Sequence, residues 1–242
     1  MLTSTALFIF RKEHEMANKK VSQTLKTTAV GTADHTFEII KEYTGEKGTA
    51  GEEAAVLQLY PTTGIADVYV TDSTTLHLQN KMKQLGWSKV HLLNLFSQIA
   101  KRKPLAGDLK RVDRENMTYI QTVISEVSKH GKIVIAWGNS HASNTAVNES
   151  KKELLEFLLS SHIGNVYHLI AETAGLEAEG THILFLGLRY AEDKWQMADY
   201  PVQSQLEKIL ARLDKRPGKK EEPSQKKEPK QEKKEGSIKN VF

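Results

Sequence analysis

Four apolar runs stand out from an otherwise polar chain: Ala54 to Tyr60, Val90 to Leu93, Ile133 to Ala136 and Ile183 to Leu188. They give way, in turn, to Pro61-Thr62-Thr63-Gly64, Asn94-Leu95-Phe96, Trp137-Gly138-Asn139-Ser140 and Arg189-Tyr190. Runs that are apolar throughout, rather than at alternate positions, are what strands covered on both faces of a parallel sheet require. The intervals between them carry helical punctuation. Asp72-Ser73-Thr74-Thr75 predicts an N-cap and first turn, Leu76, Met82 and Leu85 an apolar side, and Gly86 a stop. Asp113 predicts a second cap, ahead of a helix face formed by Met117, Ile120, Val123, Ile124 and Val127. The capping-box pattern Ser150-Lys151-Lys152-Glu153 predicts the start of a third helix through Leu154, Leu155, Leu158 and Leu159. Phe37 to Tyr43 alternates as an edge strand or hairpin arm would, and Val166 to Ile170 is a further strand. Val202, Leu206, Ile209, Leu210 and Leu213 mark a last helix that stops at Pro217-Gly218.

Strands alternating with helices predict an α/β fold: a three-layer α/β/α sandwich with a mostly parallel central sheet, Ile183 to Leu188 being its fifth main strand. The chain divides into an extension over 1–36, one α/β domain over 37–214 and a tail over 215–242. Open α/β sheets hold ligands just beyond the carboxyl ends of their strands. Tyr60, Asn94 and Trp137 are therefore expected side by side along one rim.

Charge changes the picture only at the end of the chain. Residues 215–242 hold ten Lys/Arg and five Glu, and their net +5 within a total of +4 leaves the remainder at −1. The mixture of Lys, Glu, Gln and Pro there is too poor in apolar residues to fold, so general attraction to nucleic acid is assigned to the tail. The final Ser237-Ile238-Lys239-Asn240-Val241-Phe242 restores apolar residues, as a short docking peptide for a host protein or as a frayed terminus. With no cysteine there are no disulfides or thiolate metal sites, which fits a cytoplasmic location. No apolar run approaches the ~20 residues that span a bilayer, so no membrane partner is expected. Arg11-Lys12-Glu13 is encodable as a purine-rich ribosome-binding sequence just before Met16, which points to Met16 as the native start and to 1–15 as leader. Met1 or Leu2 at the terminus of the native protein, read by mass spectrometry, would refute this.

Three clusters carry candidate chemistry. The turn Tyr60-Pro61-Thr62-Thr63-Gly64 offers hydroxyls and backbone N–H groups to an anion or base edge, with Asp67 and Asp72 to follow. Asp72 is more simply a helix cap than a catalyst, whereas Asp67 is either solvated or a water-orienting carboxylate. Asn94 can read an amide-like edge and Phe96 can stack on a ring, or the pair can close a turn and fill the core. Trp137, Gly138, Asn139, Ser140 and His141 form the third cluster, in which His141 is the candidate acid or base. Arg189, beyond the last run, is a further ligand-binding candidate. The histidines show neither H-x-x-x-H nor H-E-x-x-H, and no phosphate-cradling glycine loop is present, so no metal and no cofactor is expected.

In the order of these motifs the chain resembles an uncharacterised bacterial and phage family, the domain of unknown function 1643. Its pattern runs N-P-S-T-A-D, D-x-T, N-L-F, an N-D-like helix start, W-G and a late H-P-L. It falls here on Tyr60-Pro61-Thr62-Thr63 with Ala66-Asp67, Asp72-Ser73-Thr74, Asn94-Leu95-Phe96, Asp113 with Asn116, and Trp137-Gly138. The late motif falls on Leu184-Phe185-Leu186, where the histidine is missing. The motif order is also remotely similar to that of uracil-DNA glycosylases. That likeness implies a water-orienting role for Asp67, stacking for Tyr60 or Phe96 and base reading for Asn94, with no residue for the late histidine.

The resulting expectation is a phage or mobile-element protein of glycosylase-like fold. It binds nucleic acid, a nucleotide or a base at the strand ends, with degenerate catalysis; any enzymatic activity would be N-glycosidic hydrolysis. Two alternatives stand beside it: an inhibitor-type protein that binds a host protein through the pocket rim or the terminal peptide, and a small-metabolite enzyme.

Overall fold

The computed structural model describes residues 22–45, 51–105, 107–174 and 180–215. Residues 1–15, expected to be leader, and residues 216–242, which hold the terminal peptide and all but the first residue of the tail, lie outside the described residues. The element order is β1 (Gln23–Gly31), β2 (Thr36–Gly45), β3 (Glu52–Gln58), α1 (Ser73–Leu85), β4 (Trp87–Asn94), α2 (Arg114–Val127), β5 (Lys132–Ile135), α3 (Thr145–Ser160), β6 (Val166–Ala171), α4 (Ile183–Arg189), β7 (Trp195–Asp199) and α5 (Val202–Asp214). All seven strands join one sheet in the order β1-β2-β4-β3-β5-β6-β7.

The four apolar strands β4, β3, β5 and β6 pair in parallel at the centre. Ala54, Ala55, Val56 and Leu57 of β3 are fully buried, which explains their unbroken apolar run. Two layers cover the sheet. On one face α2, α3 and α5 bury Met117, Ile120, Leu154, Leu155, Leu206 and Ile209 against Ala55, Leu57, Ile133 and Ile135. On the other, α1 and α4 bury Leu78, Met82, Ile183 and Leu186 against Ala54, Val56, Leu92 and Val134. The steps from β3 to β4 and from β4 to β5 run in opposite directions across the sheet, and α1 and α2 lie on opposite faces. The step from β5 to β6 keeps the second direction, and α3 shares the face of α2. A single crossover handedness produces this arrangement.

The sheet is mixed rather than mostly parallel. β1 and β2 form a hairpin laid antiparallel on β4, and β7 closes the far edge antiparallel to β6, so three of six strand pairings are antiparallel. β2 is the predicted hairpin arm and not an edge. β1 and β7 were not legible as strands because edge positions are half-exposed and their residues largely polar.

Ile183 to Leu188 is a helix and not the fifth strand. Only Ile183, Leu186 and Gly187 of this run are buried, at the spacing of a helical face, while Phe185 and Leu188 stay exposed. A six-residue apolar run carries too little periodicity to separate the two states. α4 packs on α1 so closely that a Cβ on Gly187 would lie 2.1 Å from Cγ of His77. Gly187→Ala is expected to cost about 1–3 kcal/mol by overpacking, read as a lowered midpoint in thermal melts.

The cap of α3 also differs from expectation. Asn144, not Ser150, caps the helix by accepting from Val147 N at 3.0 Å, and Ser150 sits fully buried one turn inside. Ala146 and Val147 are buried too, so the apolar face starts earlier than the Leu-rich stretch and carries the helix back to Asn144. The predicted caps of α1 and α2 are in place: Asp72 accepts from Thr75 N at 2.8 Å, Asp113 from Asn116 N at 3.3 Å, and left-handed Gly86 ends α1.

One polar cluster lies within the sheet on the α2 face. His91 of β4 meets Glu38 of β2 through Nδ1 and Glu53 of β3 through Nε2, each at 2.5 Å. Tyr119 of α2 donates to Glu38 at 2.7 Å, and Lys89 and His130 also engage Glu53. Two carboxylates on one imidazole require a proton on both ring nitrogens. Burial disfavours that charge, but the bonds from Glu38 and Glu53 outweigh it and raise the His91 pKa. Burial likewise works against the Glu53 charge, yet hydrogen bonds from Lys89, His91 and His130 hold its pKa down to about 2.

Candidate functional site

β3, β4 and β5 end side by side, with Gln58 opposite Asn94 and Leu57 opposite Ile135 in register. Tyr60, Asn94 and Trp137 thus leave three adjacent parallel strands at the same rim. Alternation places Gln58 with Ala54 and Val56, and Asn94 with Val90 and Leu92, on the α1/α4 face. A cleft of about 120 Å³ opens there, lined by Gln58, Tyr60, Pro61, Thr62, Thr63, Asp72, Thr75, Asn94 and His182, with Ile39, Leu92 and Leu184 as apolar walls. It is smaller than the ~300 Å³ at which drug-sized sites begin, and suits one ring.

Its floor holds unspent hydrogen-bonding capacity. Gln58 Nε2 and Asn94 Oδ1 are both buried without a partner, one a donor and the other an acceptor, on neighbouring strands. Such atoms cost free energy in an unliganded fold and are paired in the great majority of buried positions. His182 caps α4 by accepting from Leu184 N through Nδ1 at 3.1 Å, so its neutral ring carries the proton on Nε2. Burial lowers its pKa against an opposing pull from Asp72, which keeps the ring neutral at pH 7. Gly138, at φ 63°, lies beneath it, with room for no Cβ short of 2.8 Å from Cβ of His182.

The lip is held from several sides. Asp72 accepts from the Thr75 N–H and hydroxyl and from the Thr62 hydroxyl at 2.8, 3.2 and 3.0 Å. Thr36 donates to the Thr63 carbonyl at 2.8 Å, and Ala100 N to that of Pro61 at 2.8 Å. Asp72 therefore fixes the turn to α1, as a cap does. On the other side of Tyr60 lies an open groove of about 1680 Å³, walled by the 98–115 segment and the hairpin tip.

A family model matches residues 43–177, more than half of the chain. The chain belongs to this family, described as Protein of unknown function (DUF1643). No curated protein and no solved structure matches the chain. The residues matched to DUF1643 carry the parallel core, Gln58, Tyr60 and Asn94. His182 lies just past them, two positions before the Leu184-Phe185-Leu186 on which the late motif falls.

Of the residues singled out from the sequence, Tyr60, Pro61, Thr62, Thr63, Asp72 and Asn94 meet in the cleft. Asp67 and Phe96 line the groove instead. Trp137 is 1% exposed, edge-on to Tyr200 and under the Lys151 ammonium at 5.2 Å, which makes it a core pillar. Asn139 is exposed and Arg189 is exposed in the last turn of α4, and neither lines the cleft or the groove. His141 adopts φ 59°, keeps a buried unpartnered Nε2 and lines neither cavity, and burial with Lys103 and Lys151 lowers its pKa. Gln58 and His182 are among the cleft residues that sequence reasoning missed. A glutamine closing an apolar strand was the available signal for the first; the second had none beyond its place after Gly180. Among the described residues no group of three or more His, Cys, Asp or Glu is placed to hold a metal ion, and no helix is long and apolar enough to cross a membrane.

Proposed function

We propose that the chain binds a nucleobase, free or within a nucleotide or nucleic acid, by the edge of its ring in the cleft at the ends of β3 and β4. The observation that carries this reading is the adjacent unpaired Gln58 Nε2 and Asn94 Oδ1. A donor beside an acceptor complements a ring edge with a carbonyl next to an N–H, the arrangement that pyrimidine and purine bases display. His182 Nε2–H supplies a third contact and Tyr60 a stacking face, in keeping with a glycosylase-like arrangement in which Asn94 reads the base.

The reading is one of binding, with catalysis degenerate. The carboxylate at the cleft, Asp72, already accepts from three donors and is poorly placed to activate water. Asp67 opens onto the groove.

Thermal melts of the full chain with free bases and nucleosides test this. A base bearing the carbonyl/N–H edge is expected to raise the midpoint, by the linkage that any ligand of the folded state obeys. Asn94→Ala and Gln58→Ala are each expected to abolish the shift. No shift with any base, or a shift that survives both substitutions, would remove the proposal.

A further inference from the structure

The groove beyond Tyr60 bears on what the cleft ligand is attached to. We infer that the ligand is a base within a single-stranded nucleic acid, whose phosphates run through the groove walled by Lys101, Arg102, Lys110 and Arg111 while one base turns past Tyr60 into the cleft. This rests on the base-binding reading of the cleft and goes beyond it by choosing a polymer over a free base or nucleotide.

Three observations carry it. The groove and the cleft share Tyr60 as a common wall, which sets the two on either side of one side chain. The four cations line the groove, are exposed, and make no hydrogen bond or ion pair with another described residue. The acids nearby are partly spent: Asp108 accepts from Leu105 N at 2.8 Å, and Asp113 accepts from Ser97 N and Oγ while capping α2. Asp34, Asp67 and Glu115 remain on the wall, and with Arg114 included the lining balances at five Lys/Arg to five Asp/Glu, so the cationic excess is confined to the 101–111 segment. A groove of about 1680 Å³ is far larger than one nucleotide needs, whereas the cleft admits one ring. A wide charged track beside a narrow apolar-walled slot is the geometry of a strand with one splayed base. A duplex would first have to unpair that base.

The test is fluorescence anisotropy on the full chain with a labelled single-stranded oligonucleotide and a duplex of equal length, over a salt series. The comparison variant carries Lys101→Ala, Arg102→Ala, Lys110→Ala and Arg111→Ala, with its fold checked by an unchanged melting midpoint. Each phosphate contact contributes about −0.7 to the salt slope for a single strand. The variant is expected to lose at least tenfold in single-strand affinity and to show a slope shallower by about 2–3, while its thermal shift with free nucleoside stays intact. Equal affinity and slope in variant and wild type would overturn the inference, since the tail would then carry any binding. So would tighter binding of the duplex. A nucleoside shift with no oligonucleotide binding sinks the polymer alone; groove-dependent oligonucleotide binding with no nucleoside shift sinks the cleft reading.

Discussion

Replacing His91 by Leu is expected to destabilise the folded chain by about 3–5 kcal/mol, the usual consequence of removing one partner from a buried ionic cluster. His91 is 7% exposed and Glu38 4%, so the substitution strands a carboxylate between β2 and β4 with Tyr119 as its remaining donor. Glu53 keeps Lys89 and His130. Adding Glu38→Gln to the His91→Leu variant is expected to restore part of the loss. The pH dependence has a definite sign. A histidine whose pKa is raised on folding contributes stability that is complete below its unfolded pKa of about 6.5 and is lost as pH rises through the folded value. Glu53, held down to about 2, contributes stability present above an unfolded pKa of about 4.3 and lost as pH falls toward 2. The cluster therefore stabilises most between about pH 4.3 and 6.5. Burial lowers the pKa of His141, His168 and His182, which gives an opposite slope near neutrality. The quantity to measure is thus the difference between wild type and His91→Leu in urea melts at pH 5.5 and above 8. A difference that does not shrink at the higher pH would show that the imidazolium is not the stabilising species.

The second large effect is expected at Gly138, and it couples backbone strain to the cleft. Gly138→Ala puts a side chain at φ 63°, which costs about 1–2 kcal/mol, and drives its Cβ to 2.8 Å from that of His182. Relief of the contact must move His182, because Gly138 N is fixed to the Gly180 carbonyl at 2.8 Å and its own carbonyl to the Lys151 ammonium at 3.2 Å. The melting midpoint is expected to fall by several degrees. Affinity for the base is expected to fall at least tenfold, which corresponds to about 1.4 kcal/mol and the loss of one hydrogen bond. His182→Ala is expected to reproduce the loss of binding without the backbone strain. If Gly138→Ala melts lower but binds the base as tightly as wild type, His182 is not a ligand contact.

Much of this architecture could be read before any coordinates, and the reasons are local. Asp72, Asp113 and Gly86 act within one turn of themselves, so their neighbours in sequence suffice to reveal them. The runs in β3, β4 and β5 are apolar because both faces are covered, and that leaves an unambiguous trace. The α4 segment failed because its six residues serve a helix one side of which is left to solvent. Ser150 failed because a capping-box pattern can arise inside a helix already begun at Asn144. The position of the candidate cleft was legible where it depends on strand ends, at Tyr60 and Asn94. His182 was not, since it reaches the cleft only through the packing of α4 on α1, a contact between elements about a hundred residues apart in the chain.

The cleft is assembled from unequal sources. Residues 43–177 supply Gln58 and Asn94, whereas Ile39 on the hairpin and His182 before α4 stand outside that stretch. On the base-binding proposal, side-chain changes at Ile39 or His182 would alter the shape of the slot while leaving the amide pair in place, whereas exchange of the whole hairpin would also remove the pairing of β2 with β4 and the Glu38 contact to His91.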